Sequence, residues 1–128
     1  MKLEDLNINR KENADFNNLK NLNFCGVYVI YDPNNNNEIV YVGSAYVQDI
    51  ETRLKQYTRK GDNNTLARAI LRIDDNIEKI TDDSQYDKAI EKLKTFKILA
   101  IEHQDLEYRI IKETNPIYNK NGNSKAKK

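Results

Sequence analysis

The sequence predicts an α+β domain in which helices flank a three-stranded antiparallel sheet. Three observations predict this class: two β-branched and aromatic runs joined by a short turn, a change to helical spacing of apolar residues after residue 48, and a further apolar run at residues 96–101. A chain of 128 residues has the size of one compact domain. We therefore expect a single hydrophobic core.

The first two strands are predicted at residues 26–31 and 38–43, which read GVYVIY and EIVYVG. Valine, isoleucine and tyrosine favour strands because their branched or aromatic side chains pack well on a pleated surface. Between the two runs, Asp32-Pro33 and four consecutive asparagines favour a turn, since asparagine tolerates positive φ. The pattern predicts an antiparallel hairpin.

Two helices are predicted after the hairpin. Ile50, Leu54 and Tyr57 are spaced i, i+4 and i+7, which places them on one face of a first helix. A second helix is expected to begin at Thr65, which can cap it, and to be long, because apolar residues keep helical spacing as far as Ile80.

The C-terminal third is predicted to hold a helix, a strand and a last helix. Helical spacing around residues 89–93 indicates the third helix, and residues 96–101, which read FKILAI, indicate the third strand. A last amphipathic helix is expected from Leu106. Asn115-Pro116 ends it, because the residue before a proline disfavours α geometry.

Residues 23–121 are expected to form the domain, with residues 1–22 as an N-terminal extension and residues 122–128 as a basic flexible tail. The extension scatters apolar residues among polar ones, so we expect it to pack on the domain or on a partner chain, with one short helix at most. The tail is small, polar and basic, which is the composition of a disordered segment.

Composition excludes several classes of protein. No apolar run approaches the ~20 residues that a membrane-spanning helix needs, and the first residues lack the apolar centre of a secretory signal. A single cysteine, Cys25, can form neither an internal disulfide nor a multi-cysteine zinc site. We expect a cytoplasmic protein with no membrane partner. The short length and 18 asparagines fit a phage or mobile-element origin.

Charge is segregated along the chain, although the net charge is only +1. Residues 50–72 carry six bases against two acids, and residues 112–128 carry five bases against one acid. Such basic segments can bind a polyanion, because the charge close to the phosphates matters more than the total. The alternative interpretation is that they are ordinary solvated helix faces.

Two triplets on the predicted hairpin are followed by an ordered set of polar residues. The triplets are Gly26-Val27-Tyr28 and Tyr41-Val42-Gly43, twelve residues apart; they are followed by Arg53 on the first helix, Glu107 on the last helix and Asn119 just beyond it. In this order and on these elements, residues 24–120 resemble the GIY-YIG nuclease family.

The resemblance implies a divalent-metal-dependent DNA endonuclease that leaves 5′-phosphate and 3′-hydroxyl ends. By resemblance, Glu107 holds Mg²⁺, with Mn²⁺ as the alternative ion, and Arg53 offers its planar fork of donors to the phosphate. Tyr41 is the leading general-base candidate, supported by a hydrogen bond from Tyr28, and Asn119 braces the site. A tyrosine has an ordinary pKa near 10, so either tyrosine must be strongly perturbed or act mainly in orientation.

DNA is the expected partner, held through its backbone by Arg59, Lys60, Arg68 and Arg72. One active site of this kind nicks one strand, so double-strand cutting would need a homo-oligomer. Ser44 stands where many relatives carry a lysine, which removes one phosphate-binding or base-assisting group. A catalytically inactive nucleic-acid-binding module and a protein-interaction domain are the alternative hypotheses.

Overall fold

The computed structural model describes residues 10–61, 63–103 and 106–119. They form an α+β domain with one four-stranded antiparallel sheet in the order β1-β4-β2-β3. The strands are β1 (Lys11–Asp15), β2 (Gly26–Asp32), β3 (Glu38–Ala45) and β4 (Lys97–Ile101). The predicted class and hairpin are confirmed. The prediction of three strands is wrong, because β1 adds a fourth.

Strand β1 lies in the segment for which we expected at most one short helix. It pairs with β4 in antiparallel register, from Lys11 opposite Ile101 to Asp15 opposite Lys97. Its sequence, KENAD, has no apolar alternation. As an edge strand it is held mainly by backbone hydrogen bonds to a single neighbour, so its side chains need not carry the usual pattern.

The residues that follow β1 contribute to the core. Phe16, Leu19 and Leu22 are buried. Two backbone hydrogen bonds join this segment to the start of the first helix. The Leu22 carbonyl accepts from the Glu51 N–H, and the Phe24 carbonyl accepts from the Ile50 N–H. Residues 16–24 therefore pack on the domain as part of its hydrophobic interior. Residues 1–9 and 120–128, and with them the predicted tail, lie outside the described residues.

The helices are α1 (Ile50–Gln56), α2 (Thr65–Asp75), α3 (Gln85–Leu93) and α4 (Glu107–Thr114), and a short 3-10 helix follows at Ile117–Asn119. Helix α2 is shorter than predicted, because Asn76 takes the left-handed conformation with φ 57° and caps the helix. Ile77 and Ile80 still pack against the core from the irregular segment beyond it. Their contacts explain why the apolar spacing continued past the end of the helix.

The sheet is covered on both faces. Helices α1, α2 and α3 pack on one face in the larger apolar cluster, and α4 packs on the other face in a smaller one. Tyr28 lies opposite Gly43, and Ile30 lies opposite Tyr41, so the two tyrosines share the face that carries α1 and α2. No helix within the described ranges is long and apolar enough to cross a bilayer.

Candidate active site

A polar cleft lies beside β3, the strand at the opposite edge of the sheet from β1. Its volume is about 380 Å³. Its polar lining comes from β3, α1, α2, the first residue of α4 and the 3-10 helix: Tyr41, Arg53, Thr65, Arg68, Arg72, Glu107, Tyr118 and Asn119. At roughly 30 Å³ for each water molecule, such a cleft has room for about a dozen waters. A phosphate and a hydrated cation fit in that space together.

Asn119 fastens the 3-10 helix to the free edge of β3. Its side-chain oxygen accepts a hydrogen bond from the Val42 backbone N–H at 2.8 Å, and its side-chain nitrogen donates to the Val42 carbonyl at 2.9 Å. The side chain is buried, and both backbone groups of an edge residue are satisfied by one amide. Asn119 thereby fixes the position of Tyr41, the residue before Val42.

Three tyrosines form a chain of phenols behind and along the cleft. The hydroxyl of Tyr28 lies 2.5 Å from the hydroxyl of Tyr57, which is therefore its hydrogen-bond partner in place of the Tyr41 that we expected. Tyr57 also contacts Tyr41 edge to face, with ring centroids 6.0 Å apart. Tyr28 is only 1% exposed and does not line the cleft. Tyr57 thus connects the buried tyrosine to the cleft tyrosine.

Burial raises the pKa of all three phenols above the ordinary value. For Tyr41 the next largest cause is the neighbouring Tyr57, whereas a hydrogen bond with Thr65 lowers the pKa. The pKa values of Tyr57 and Tyr28 are also raised, principally by burial. The three residues are therefore neutral phenols at neutral pH, and their hydroxyls are available as hydrogen-bond donors.

Arg53 stands between this chain of phenols and the cleft. Helix α1 is capped by Asp49, whose side chain accepts from the Thr52 N–H at 2.8 Å, and Arg53 lies in the last turn of that helix. Its guanidinium lies 5.1 Å from the centroid of the Tyr57 ring, and Nη1 donates to Gln56 at 2.8 Å. Burial lowers the pKa of Arg53, but the phenols of Tyr57 and Tyr28 outweigh it and raise the pKa overall. Arg53 stays a cation.

Glu107 is the carboxylate of the cleft, and a serine on β3 positions it. Its Oε1 accepts a hydrogen bond from the Ser44 hydroxyl at 2.7 Å. Within residues 10–61, 63–103 and 106–119, Glu107 has no ion pair, and Oε2 has no hydrogen-bond partner. Ser44 thus holds one oxygen of the Glu107 carboxylate, and the other has no partner among the described residues.

The carboxylate fits a particular kind of metal ion. Among the described residues, no group of three or more histidines, cysteines, aspartates or glutamates could hold a metal. A single carboxylate suits an ion that keeps most of its own waters, as Mg²⁺ does, and does not suit one that requires a full set of protein ligands. Glu107 is therefore compatible with Mg²⁺ or Mn²⁺ as the ion.

The family comparison agrees with this arrangement. The family model described as the GIY-YIG catalytic domain matches residues 24–122. The chain belongs to the GIY-YIG family. Searches of curated proteins and of solved structures found no significant match. Membership gives the chain a nuclease-type fold, in a family that generally comprises endonucleases.

The glycine of the second GIY-YIG triplet makes room for the tyrosine of the first. Gly43 lies directly across from Tyr28, and a Cβ on Gly43 would be 2.4 Å from the Tyr28 hydroxyl oxygen and 2.5 Å from the ring carbon that bears it. Any side chain at this position would displace the ring. The two triplets therefore act as one packing unit on the hairpin, which accounts for their pairing in the motif.

The four basic residues that we predicted to bind DNA fall into two groups. Arg68 and Arg72 lie four residues apart on α2 and line the cleft. Arg59 and Lys60 line a separate hollow of about 250 Å³ beside it, and Lys60 pairs with Asp87 at 3.1 Å. The turn that precedes α2 separates the two groups.

Sequence reasoning missed three residues of the site. We placed Tyr57 only on an apolar helix face, regarded Ser44 as a lost lysine, and used Thr65 only as a helix cap. Tyr57 was the one member of its apolar face with a hydroxyl, and that was the available signal. The contact between Ser44 and Glu107 joins residues 63 positions apart, which no local pattern reveals.

Proposed function

We propose that this GIY-YIG domain is a divalent-metal-dependent DNA endonuclease that hydrolyses phosphodiesters to 5′-phosphate and 3′-hydroxyl ends. The observation that supports it is the convergence of Tyr41, Arg53 and Glu107 on one cleft of about 380 Å³. Hydrolysis of a phosphodiester needs an oriented water, a cation at the phosphate oxygens and stabilisation of the leaving oxygen. These three side chains match the three requirements.

Arg53 binds the scissile phosphate. A guanidinium presents a planar fork of donors that pairs with two phosphate oxygens. The Arg53 guanidinium is held over Tyr57 and by Gln56, so it enters the reaction already oriented. Its raised pKa keeps the charge in place while negative charge grows on the phosphate.

Glu107 would hold the metal ion through the oxygen that Ser44 leaves unoccupied. When bound, such an ion polarises the phosphate and stabilises the departing 3′ oxygen. The hydrogen bond from Ser44 restricts the rotation of the carboxylate. Glu107 is the first residue of α4, so that helix sets the position of its carboxylate beside β3.

Tyr41 orients the attacking water as a neutral phenol. Its raised pKa makes a resident phenolate unfavourable at neutral pH, so this role fits the cleft better than that of a general base already deprotonated in the free protein. The chain from Tyr28 through Tyr57 fixes the Tyr41 ring by edge-to-face packing, and Asn119 fixes the strand below it.

Nicking of supercoiled plasmid tests this function. We expect the wild-type chain to nick with Mg²⁺ and not with EDTA, and Glu107→Gln to nick about 10²–10³-fold more slowly, the usual cost of removing a group that stabilises transition-state charge. Glu91→Gln, an exposed glutamate on α3, is the matched control and should nick like wild type. Equal rates for Glu107→Gln and wild type would refute the mechanism.

The ends of the product give an independent test. Nicks with 5′-phosphate and 3′-hydroxyl ends can be sealed by DNA ligase without prior kinase treatment. Sealing only after kinase treatment would contradict the proposed polarity of cleavage.

A catalytically inactive DNA-binding module is the second candidate, and Ser44 is the observation that favours it. With serine in place of lysine, the position after the second triplet supplies no cation beside Tyr41, and Arg53 is a cation whose charge lowers the pKa of that phenol. This candidate predicts salt-sensitive binding of plasmid without nicking in Mg²⁺ or Mn²⁺.

A further inference from the structure

Arg72 is a cation of the cleft whose Nε has no hydrogen-bond partner among the described residues. It lies in the last turn of α2 and lines the cleft together with Glu107 and Asn119. Its Nε atom is buried, and it is the one buried side-chain nitrogen or oxygen of the described residues that makes no hydrogen bond. Leaving a buried donor unsatisfied costs stability, so a folded chain that keeps one points to a missing acceptor.

The nearby acids do not supply that acceptor. Asp74 pairs with Lys92 and accepts a hydrogen bond from the Tyr118 hydroxyl at 2.8 Å. Asp75 pairs with Lys88 at 3.1 Å. Both acids at the end of α2 are thus neutralised by lysines of α3, and the charge of Arg72 remains for the cleft.

Arg72 also lies away from the position proposed for the scissile phosphate. Thr65, which contacts Tyr41, begins α2, and Arg72 follows it by seven residues on the same face. At 1.5 Å per residue the two are about 10 Å apart along the helix. Arg68 lies between them. The α2 face of the cleft therefore extends beyond the reach of a single phosphate bound at Tyr41 and Arg53.

We propose that Arg72, assisted by Arg68, binds a second phosphate of the cut strand, next to the scissile one. This inference rests on the proposed function, since it concerns the substrate of the same cleft. The ligand is a phosphodiester backbone with at least two consecutive phosphates, which makes an internal bond of a strand the preferred target. The acceptor missing from Arg72 Nε is then an oxygen of that second phosphate.

Removing the charge of Arg72 should raise the stability of the free protein. In the free protein the guanidinium, whose buried Nε has no partner among the described residues, opposes folding, whereas a methionine would keep the apolar stem and remove the charge. Arg72→Met should therefore melt about 3 °C higher than wild type in the absence of DNA. Lys94→Met, which removes an exposed lysine at the C-cap of α3, is the control and should leave the melting temperature unchanged.

The decisive measurement is the salt dependence of DNA binding. Binding of a fluorescent short duplex is followed by anisotropy in EDTA, so that no cleavage occurs. Each phosphate neutralised by the protein contributes about 0.9 to the slope of log affinity against log salt. Arg72→Met should reduce that slope by about one and weaken binding at moderate salt about tenfold, and Lys94→Met should do neither.

A double variant tests whether the two phosphates are separate. If Arg53 and Arg72 bind different phosphates, the variant with Arg53→Ala and Arg72→Met should lose about two from the slope, the sum of the single losses. A double loss no greater than the larger single loss would show one shared phosphate and overturn the proposal. An unchanged slope in Arg72→Met would overturn it as well, whatever the melting temperature. Arg72→Gln serves for the same measurements if the methionine variant does not fold.

These outcomes are distinguishable from failure of the nuclease function. A wild-type chain that never nicks plasmid, with a slope that falls in Arg72→Met, would refute the proposed function and retain the second phosphate site. Nicking by wild type with an unchanged slope in Arg72→Met would refute only the second site.

Discussion

Two hollows on the molecule differ in size and in chemistry. The larger, about 520 Å³, which we term the apolar groove, is walled on the sheet by Val29, Ile39 and Leu99 and on α4 by Ile110. The smaller is the cleft of about 380 Å³, where tyrosine, arginine and glutamate side chains converge. If volume were the criterion, the groove would be the candidate active site. The cleft is the better candidate, because its polar and charged side chains converge where they can bind a phosphate, and catalysis depends on such groups being in position.

The two hollows also contribute differently to stability. The walls of the groove belong to the apolar cluster between the sheet and α4, and their packing favours folding. The cleft is lined by the Tyr41 phenol and by an arginine with an unsatisfied nitrogen, and the buried phenols of Tyr28 and Tyr57 lie behind it. Its residues are positioned for a ligand at some expense of stability, as is common for functional sites. Substitutions in the two regions should therefore separate stability from activity.

High pH should act on the cleft and spare the groove, and this is the largest effect that we expect. The folded pKa values of Tyr28, Tyr41 and Tyr57 are raised above the ordinary 10.0, so their contribution to stability is complete below pH 10 and is lost as pH rises toward the folded values. At about pH 11 each of these three phenols costs roughly 1.4 kcal/mol of stability, or about 4 kcal/mol together, and Tyr118, whose pKa burial raises to about 12, adds to the loss.

Denaturant unfolding between neutral pH and pH 11, with tyrosinate absorbance followed in parallel, measures this loss. Tyr41→Phe is the matched control, because it removes one protected phenol and should lose about 1.4 kcal/mol less than wild type at pH 11. If Tyr41 ionised near neutral pH in the folded chain, the neutral-phenol role proposed for it would be wrong.

Gly43→Ala should displace the Tyr28 ring, which lies behind the cleft. The new Cβ would meet the Tyr28 ring at about 2.4–2.7 Å, and overpacking of this kind costs about 1–3 kcal/mol. Tyr28 is hydrogen-bonded to Tyr57, and Tyr57 packs on Tyr41, so a shift of the Tyr28 ring should also shift Tyr41 and lower the nicking rate. Chemical denaturation and plasmid nicking measure the two effects.

Replacing the Tyr28 ring separates the effect of Gly43→Ala on stability from its effect on nicking. Adding Tyr28→Leu to Gly43→Ala should recover part of the lost stability, since the clash disappears, while nicking stays low because the chain of phenols is broken. Equal destabilisation by Gly43→Ala with and without the Tyr28 ring would show that the contact between Gly43 and Tyr28 is not the cause.

Leu99→Ala tests the groove itself. Leu99 is partly buried on β4, two strands from the cleft, and its truncation should cost about 2 kcal/mol, the lower end for such a change. Nicking per folded molecule should be unchanged at a temperature where the variant is folded. If fully folded Leu99→Ala nicked more slowly than wild type, the groove would be part of the active site and the two hollows would not be functionally separate.

The elements that sequence could predict are those with local signals. The hairpin carries β-branched residues on both sides of an asparagine turn, and the end of α4 coincides with Asn115-Pro116. Edge strand β1 has no such signal, because backbone pairing with β4 holds it. The end of α2 could not be predicted because the apolar pattern continues past it. Ile77 keeps the helical spacing although Asn76, one residue earlier, has already ended the helix.

The site shows the same division. The residues on the two triplets and on α1 and α4 could be proposed from their order along the chain, because the family pattern fixes that order. Contacts between distant elements could not. Tyr57 has the spacing of a core residue, and only the folded hairpin brings Tyr28 to its hydroxyl. The docking of Glu107 on Ser44 likewise requires α4 to lie against β3.

Ser44→Ala is expected to have the smallest of these effects. Loss of the hydroxyl frees the Glu107 carboxylate to rotate without removing it, so nicking should fall about tenfold, the lower range for a group that orients a metal ligand. The loss should be largest at low Mg²⁺ and should shrink as Mg²⁺ is raised, because a misoriented ligand weakens ion binding first. Ser84→Ala, an exposed serine before α3, is the matched control. A tenfold loss that did not depend on Mg²⁺ would place Ser44 at the phosphate, in the role that lysine is expected to have in relatives.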